Sequence, residues 1–206
     1  MKRLAAILFL YFVTLLPAGS VAATVPAQQL VMDTTAEMLS LIEAEREKIK
    51  ARPVYIYELV EGVILPHFDF ERMGRLVLGK HWRKANKAQR EQFIKEFSFL
   101  LVRTYATAMM DYSGQKVIYL PFREGKDKNE AIVRTEIDQK GGLPIPIDYS
   151  LHLKGGEWKV YDVKIDAVSL VMNYRTTFSG EIRKLKGIEG LISKLQKRNQ
   201  EARDGA

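Results

Sequence analysis

The chain has 206 residues, 47% of them apolar and 28% charged, with a formal net charge of +7 and no cysteine. The missing cysteines exclude disulfides, a lipidated cysteine and thiolate metal sites, and the length suits one domain that builds its core without cross-links. The basic surplus is spread along the chain with no Arg/Lys block interleaved with aromatics, which argues against nucleic-acid binding.

At the N-terminus, Lys2 and Arg3 precede an apolar run from Leu4 to Leu16 that only Thr14 interrupts. Pro17, Gly19, Ser20 and the small residues Val21-Ala22-Ala23 follow. That is the layout of a secretory signal peptide, cleaved near residue 23. As a helix the run would reach about 20 Å, short of the ~30 Å hydrocarbon core that the alternative, a membrane anchor, would have to span. Cleavage would leave one domain over residues 24–200 with a frayed tail at 201–206, and would lower the formal charge from +7 to +5.

A first helix is expected from Pro26 to about Lys50, with Leu30, Thr34, Met38, Leu41 and Ile42 on one side and Pro53 ending it. PVYIYELVEGVILPHF reads as a short helix closed by Pro66. DFERMGRLVLG reads as another, with Asp69 as N-cap and Phe70, Met73, Leu76 and Val77 inward. The clearest element is ANKAQREQFIKEFSFLLVRTYATAMMDYSG. Asn86 and Gln89 have capping-box spacing, Phe93, Phe97, Leu101, Tyr105 and Met109 form an i, i+4 stripe, and Gly114 is the expected stop.

Beyond Gly114 the period changes from 3.6 to 2. KVIYLPF, EAIVRTEID, IPIDYSLHLK and EWKVYDVKI read as four strands joined by short polar and glycine-bearing turns, hence an antiparallel meander. In the third strand Ile145, Ile147, Tyr149, Leu151 and Leu153 form a dry face, and Asp148, Ser150, His152 and Lys154 a wetter one. In the fourth, simple alternation puts Tyr161, Val163 and Ile165 on one face, Trp158 and Val160 on the other. The helical period returns past Ile165, through Val171, Tyr174, Phe178, Ile182 and Leu185, and GIEGLISKLQKR closes the fold. The expected class is α+β: N-terminal helices, a four-stranded sheet curved over helices in the manner of NTF2- and cystatin-like domains, and C-terminal helices. Such a cone-like shape favours an apolar cavity.

Catalytic and metal-binding patterns are absent from the sequence. His67, His81 and His152 have no metal-ligand spacing, no G-x-S-x-G, P-loop or G-x-G-x-x-G motif occurs, and nothing calls for a cofactor. Asp162 and Asp166 read as a strand residue and an N-cap rather than a carboxylate pair. What stands out is apolar and aromatic surface on both sides of a helix–sheet contact. Periodicity leaves open whether it is filled core or the wall of a ligand cavity.

GEWKVYDVKIDAVSLVMNYRTTFSGEI followed by GIEGLISKL resembles the C-terminal signature of the MlaC, or toluene-tolerance auxiliary, family. HFDFERMGRLVLGKHWRKANKAQREQFIKEFSFLLVRTY is similar to the family's middle helices, including a Leu-Gly-x-x-Trp element at Leu78, Gly79 and Trp82. The resemblance spans the mature chain. It implies a monomeric periplasmic carrier of glycerophospholipids, working between an outer-membrane lipoprotein complex and an inner-membrane ABC transporter with an MCE-domain subunit. Asn173, Tyr174 and Arg175 depart from the enteric members after SLV, which bears on lipid preference. A related branch lies near hopanoid synthesis, so another polyprenoid lipid is an alternative cargo.

Under this resemblance the acyl-chain wall is assigned to Phe97, Leu101, Tyr105 and Met109 of the long helix, Ile147, Tyr149 and Leu151 of the third strand, and Tyr161, Val163 and Ile165 of the fourth. Val168, Leu170, Val171 and Tyr174 complete it, with Arg103 and Arg175 for the head group. The rivals are an NTF2-like enzyme acting on a small apolar substrate, which would need an acid or base in the wall, and an adaptor with a filled core.

Overall fold

The computed structural model describes residues 27–124, 127–139 and 141–204. The signal-peptide reading and Pro26 fall outside the described residues. Among the described residues eight helices and six strands run in the order α1 Ala27–Ala44, α2 Arg46–Ala51, α3 Tyr55–Val63, α4 Phe70–Leu78, α5 Lys80–Lys84, α6 Lys87–Met110, β1 Val117–Tyr119, β2 Arg123–Glu124, β3 Glu130–Ile137, β4 Ile145–Lys154, β5 Glu157–Ile165, β6 Val168–Ser169, α7 Leu170–Lys184 and α8 Ile188–Asp204. A single 3-10 turn, Leu65–His67, joins α3 to α4.

The local signals explain most of these boundaries. Asp69 caps α4 by accepting the Arg72 amide at 3.0 Å. Asn86 and Gln89 form the expected capping box at the start of α6, with bonds of 2.9 and 3.1 Å. The long first helix is interrupted at Glu45 and continues as α2. The tail expected to fray from residue 201 stays helical through Asp204.

The antiparallel sheet runs β1-β3-β4-β5-β6, with β2 also paired to β3. The expected strand KVIYLPF is paired only as β1, Val117 opposite Ile137, and stops before Pro121, which has no amide to give to a ladder; β2, with Arg123 opposite Ile132, lies in the segment read as a turn. The two-residue β6 was not expected. It forms a tight hairpin with β5 through Asp166 and Ala167, both at positive φ (49 and 63) as that turn requires. Asp166 is therefore a turn residue. The cap of α7 is Ser169, which accepts the Met172 amide at 3.1 Å, and Asp162 accepts both the Ser169 hydroxyl and the Val171 amide.

One irregularity redirects a face of the sheet. Ser150 pairs with Asp162 but Leu151 pairs with Val160, so Tyr161 is an extra residue in a β-bulge. Val160 and Trp158 consequently join Val163 and Ile165 on the face of Tyr149 and Leu151. Tyr161 turns the other way, under the Arg72 guanidinium at 3.8 Å and edge-on to His152. This corrects the simple alternation read from EWKVYDVKI.

Three apolar clusters hold the fold. The first joins α4, α6, α7 and α8 around Phe93, Phe97 and Phe178; the third joins α1, α3 and the later part of α6 around Met38, Ile56 and Val102. The second lies between the inner face of the sheet and the helices that cover it.

Candidate functional site

The inner face is built in register. Val133, Tyr149 and Val163 lie across three neighbouring strands, as do Thr135, Ile147 and Ile165, while Ala131, Leu151 and Val160 form the row beside the bulge. Strand alternation therefore stacks apolar side chains into one continuous wall. Ala27, Leu30 and Val31 of α1 lie over it, and Gln28 ties that helix to the sheet edge by donating to the Leu120 carbonyl at 3.0 Å. Leu170 and Tyr174 from α7 and Tyr105 from α6 close the other side.

The centre of this wall is fully buried, at Val133, Leu151 and Val163, but Tyr119, Ile147, Tyr149, Trp158, Ile165, Tyr105 and Tyr174 around it are only partly so. Val168, opposite Ile165, is 56% exposed where this face ends. The wall thus has a buried apolar centre and a partly exposed apolar rim. Its polar atoms carry no charge at neutral pH. Burial and Tyr119 push the Tyr149 hydroxyl up to about 12, and burial and Tyr174 do the same to Tyr105. The Thr135 hydroxyl is spent on the Ile147 carbonyl at 3.1 Å.

The residues assigned from the sequence divide among the clusters. Tyr105, Ile147, Tyr149, Leu151, Val163, Ile165, Leu170 and Tyr174 meet at the inner face. Phe97, Leu101 and Val171 lie in the helical core of the first cluster, and Met109 packs with α1 and α3 in the third, because the α6 stripe serves three cores in succession. Tyr161 is on the opposite face for the reason given above. The head-group assignments fall away from this wall: Arg103 donates to Asn199 on α8 at 3.1 Å, and the Arg175 guanidinium folds back on Gly79 and the Leu76 carbonyl. The sequence reading left out Ala131, Val133, Trp158 and Val160. The first two were visible in the alternation of EAIVRTEID, whereas the last two were hidden by the bulge.

None of the inner-face positions of β3, β4 and β5 holds a carboxylate or an imidazole. The one His–carboxylate contact among the described residues, His152 Nε2 to Asp69 Oδ2 at 2.9 Å, is on the outer face, where Lys154 at 3.0 Å shares the same oxygen. Together with the Arg72–Glu130 pair at 2.7 Å it fastens α4 to β3 and β4. Among the described residues no cluster of His, Cys, Asp and Glu could hold a metal, and no helix is long and apolar enough to cross a membrane.

The family model of the MlaC protein matches residues 32–197. The chain is 34% identical over 170 residues, 81% of its length and 79% of the relative's, to the intermembrane phospholipid transport system binding protein MlaC of Haemophilus influenzae. It is 27% identical over 192 residues to the toluene tolerance protein ttg2D of Pseudomonas putida, covering 90% and 88% of the two chains. Among solved structures it matches a phospholipid-binding protein from Ralstonia solanacearum, in complex with a phospholipid, with a TM-score of 0.78 and 31% identity over 85% of this chain and 97% of the other. With its α+β architecture and its uncharged inner wall, the chain belongs to the MlaC protein family.

Proposed function

We propose that the protein is a periplasmic phospholipid carrier that holds acyl chains against the inner face of the sheet and moves them between outer-membrane and inner-membrane complexes. The observation that carries this reading is the partly buried, uncharged wall of Tyr149, Ile147, Ile165, Tyr105 and Tyr174, in a chain that spans nearly all of a relative solved with a phospholipid. The chains would part α1, α6 and α7 from the sheet and enter past Ile145 and Val168, the exposed end of the wall. The lack of an acid or base in the wall favours carrying over catalysis. The export reading of the N-terminus supports a periplasmic location, and the intermembrane phospholipid transport system named for the Haemophilus relative supports work between two membranes; an inner-membrane ABC transporter and an outer-membrane lipoprotein complex are the partners the family resemblance implies.

The energetics suit a reversible carrier. Burial is worth ~0.8 kcal/mol per methylene, so one sixteen-carbon chain gains on the order of 10 kcal/mol over water. A bilayer offers nearly the same, which leaves exchange between protein and membrane close to neutral. Direction then comes from the partners. The test is to fill the wall with Val163→Trp and, separately, Ile147→Trp, in variants whose circular dichroism matches the parent. Loading of phospholipid from vesicles is expected to fall severalfold; loading equal to the parent in both variants would overturn the assignment of the wall.

A further inference from the structure

At the end of α7 remote from its Ser169 cap, about 22 Å along a helix of this length, the chain turns into α8 and faces α5 across an open concavity of about 350 Å³. His81 and Lys84 line it from α5, and Arg183 and Lys186 from the α7–α8 connection, with Ile182 and Ile188 beside them. No carboxylate lines it, and among the described residues Lys84, Arg183 and Lys186 take part in no ion pair. Among those same residues His81 Nε2 is the one buried side-chain nitrogen or oxygen without a hydrogen-bond partner.

The turn that brings Lys186 here is locked. The Gly187 amide donates to the Ile182 carbonyl at 3.0 Å, the six-to-one bond of a Schellman closure. The left-handed position of that closure, where glycine is the usual residue, is held by Lys186 at φ 57. On the far side a Cβ at Gly190 would fall 2.8 Å from the Leu185 carbonyl oxygen, so the helices close up only because that residue is glycine. A lysine kept in a conformation that L-residues rarely adopt thus lines the same concavity as two other cations. The position before Ile188 is Gly187, which has no side chain to cap the first-turn amides of α8, and the helix dipole adds to the positive field.

Lys84, Arg183 and Lys186, three cations gathered without ion-pair partners around one concavity, repel one another until an anion arrives. An oxyanion can accept from all of them at once through several oxygens. We propose that this concavity is a second ligand site, taking a phosphate oxyanion supplied either as free phosphate or as the phosphate of an anionic lipid headgroup. The site is separate from the acyl-chain wall and does not rest on the reading given to that wall. Burial and the nearby Lys80 and Lys84 lower the His81 pKa, so the imidazole is neutral at neutral pH and the charge of the site comes from the three cations.

Titration of the isotopically labelled protein with sodium phosphate, followed by NMR, reads the site directly. Saturable shifts are expected at the His81 ring and at the amides of Lys186 to Gly190, weakening as salt is raised. The Lys84→Gln/Arg183→Gln/Lys186→Gln variant, and Lys84→Gln alone should the triple variant melt early, is expected to bind phosphate roughly tenfold more weakly or worse. A second arm floats protein with phosphatidylcholine vesicles made with or without phosphatidylglycerol. Capture that needs phosphatidylglycerol and is lost in the variant assigns the site to a lipid headgroup; a phosphate response with no such capture assigns it to free phosphate. Absence of shifts with phosphate, together with identical flotation of parent and variant, would overturn the proposal.

Discussion

Tyr105 of α6 and Tyr174 of α7 each pack against both the helical core and the inner-face cluster, at the place where the two meet. The Tyr174 ring also lies 5.3 Å from Phe97 and 5.4 Å from Phe178, so this pair connects the packed interior to the proposed wall. Tyr174→Ala removes a ring shared by both clusters and is expected to cost about 3 kcal/mol in urea unfolding.

Tyr105 and Tyr149 set an alkaline limit. Their folded pKa values, about 12, lie above the ordinary value of 10.0, because burial disfavours the phenolate. The stability this confers is fully present below pH 10 and is lost as the pH rises towards 12. Ultraviolet absorbance titration is expected to show these tyrosines ionising together with unfolding, and Tyr149→Phe is expected to move the alkaline midpoint upward.

Asp69 sets the acid side. Burial works against its charge, but the Arg72 amide, Lys154 and His152 outweigh it and hold the carboxyl below its usual 3.8. Its contribution is therefore complete above the ordinary carboxylate pKa and disappears as the pH falls through the lower folded value. Asp69→Ala, which also uncaps α4, is expected to cost about 2 kcal/mol at neutral pH. The gap between variant and parent in urea unfolding is expected to narrow below pH 3.8.

Gly79 follows α4 at φ 53, and a Cβ there would sit 3.2 Å from Arg175 Nη2. The glycine of the Leu-Gly-x-x-Trp element thus serves both the backbone and the seat of Arg175. Gly79→Ala is expected to cost about 1–3 kcal/mol. Adding Arg175→Ala is expected to recover only part of that loss in thermal unfolding, because the backbone conformation stays unfavourable.

How far the sequence reveals this molecule depends on the range of each cause. The Asn86–Gln89 capping box, the Asp69 cap and the alternation of Ile145 to Leu153 are local, and each leads to the observed element. The bulge at Tyr161 has no glycine or proline to announce it, and it moves Val160 and Trp158 to the opposite face. The role of Arg103 depends on Asn199, 96 residues away, which no periodicity links to it. The long stripe of α6 reads as one wall because spacing identifies an apolar face but not which neighbour covers each turn.

Asn199 is fully buried and donates to the Glu96 carbonyl at 2.9 Å and to its carboxylate at 2.7 Å, while accepting from Arg103. Asn199→Leu leaves a buried carboxylate without that donor and is expected to cost about 3 kcal/mol, detaching the end of α8 from α6. Faster hydrogen exchange along residues 195–204 is the expected sign.

The central claim, that the inner face of the sheet carries phospholipid, is tested most directly by native mass spectrometry of protein exported to a bacterial envelope and purified without added lipid. A bound population heavier by the mass of a phospholipid is expected, one that dissociates on activation and is restored by incubation with phospholipid vesicles. Apo protein alone, with no uptake from those vesicles, would contradict it.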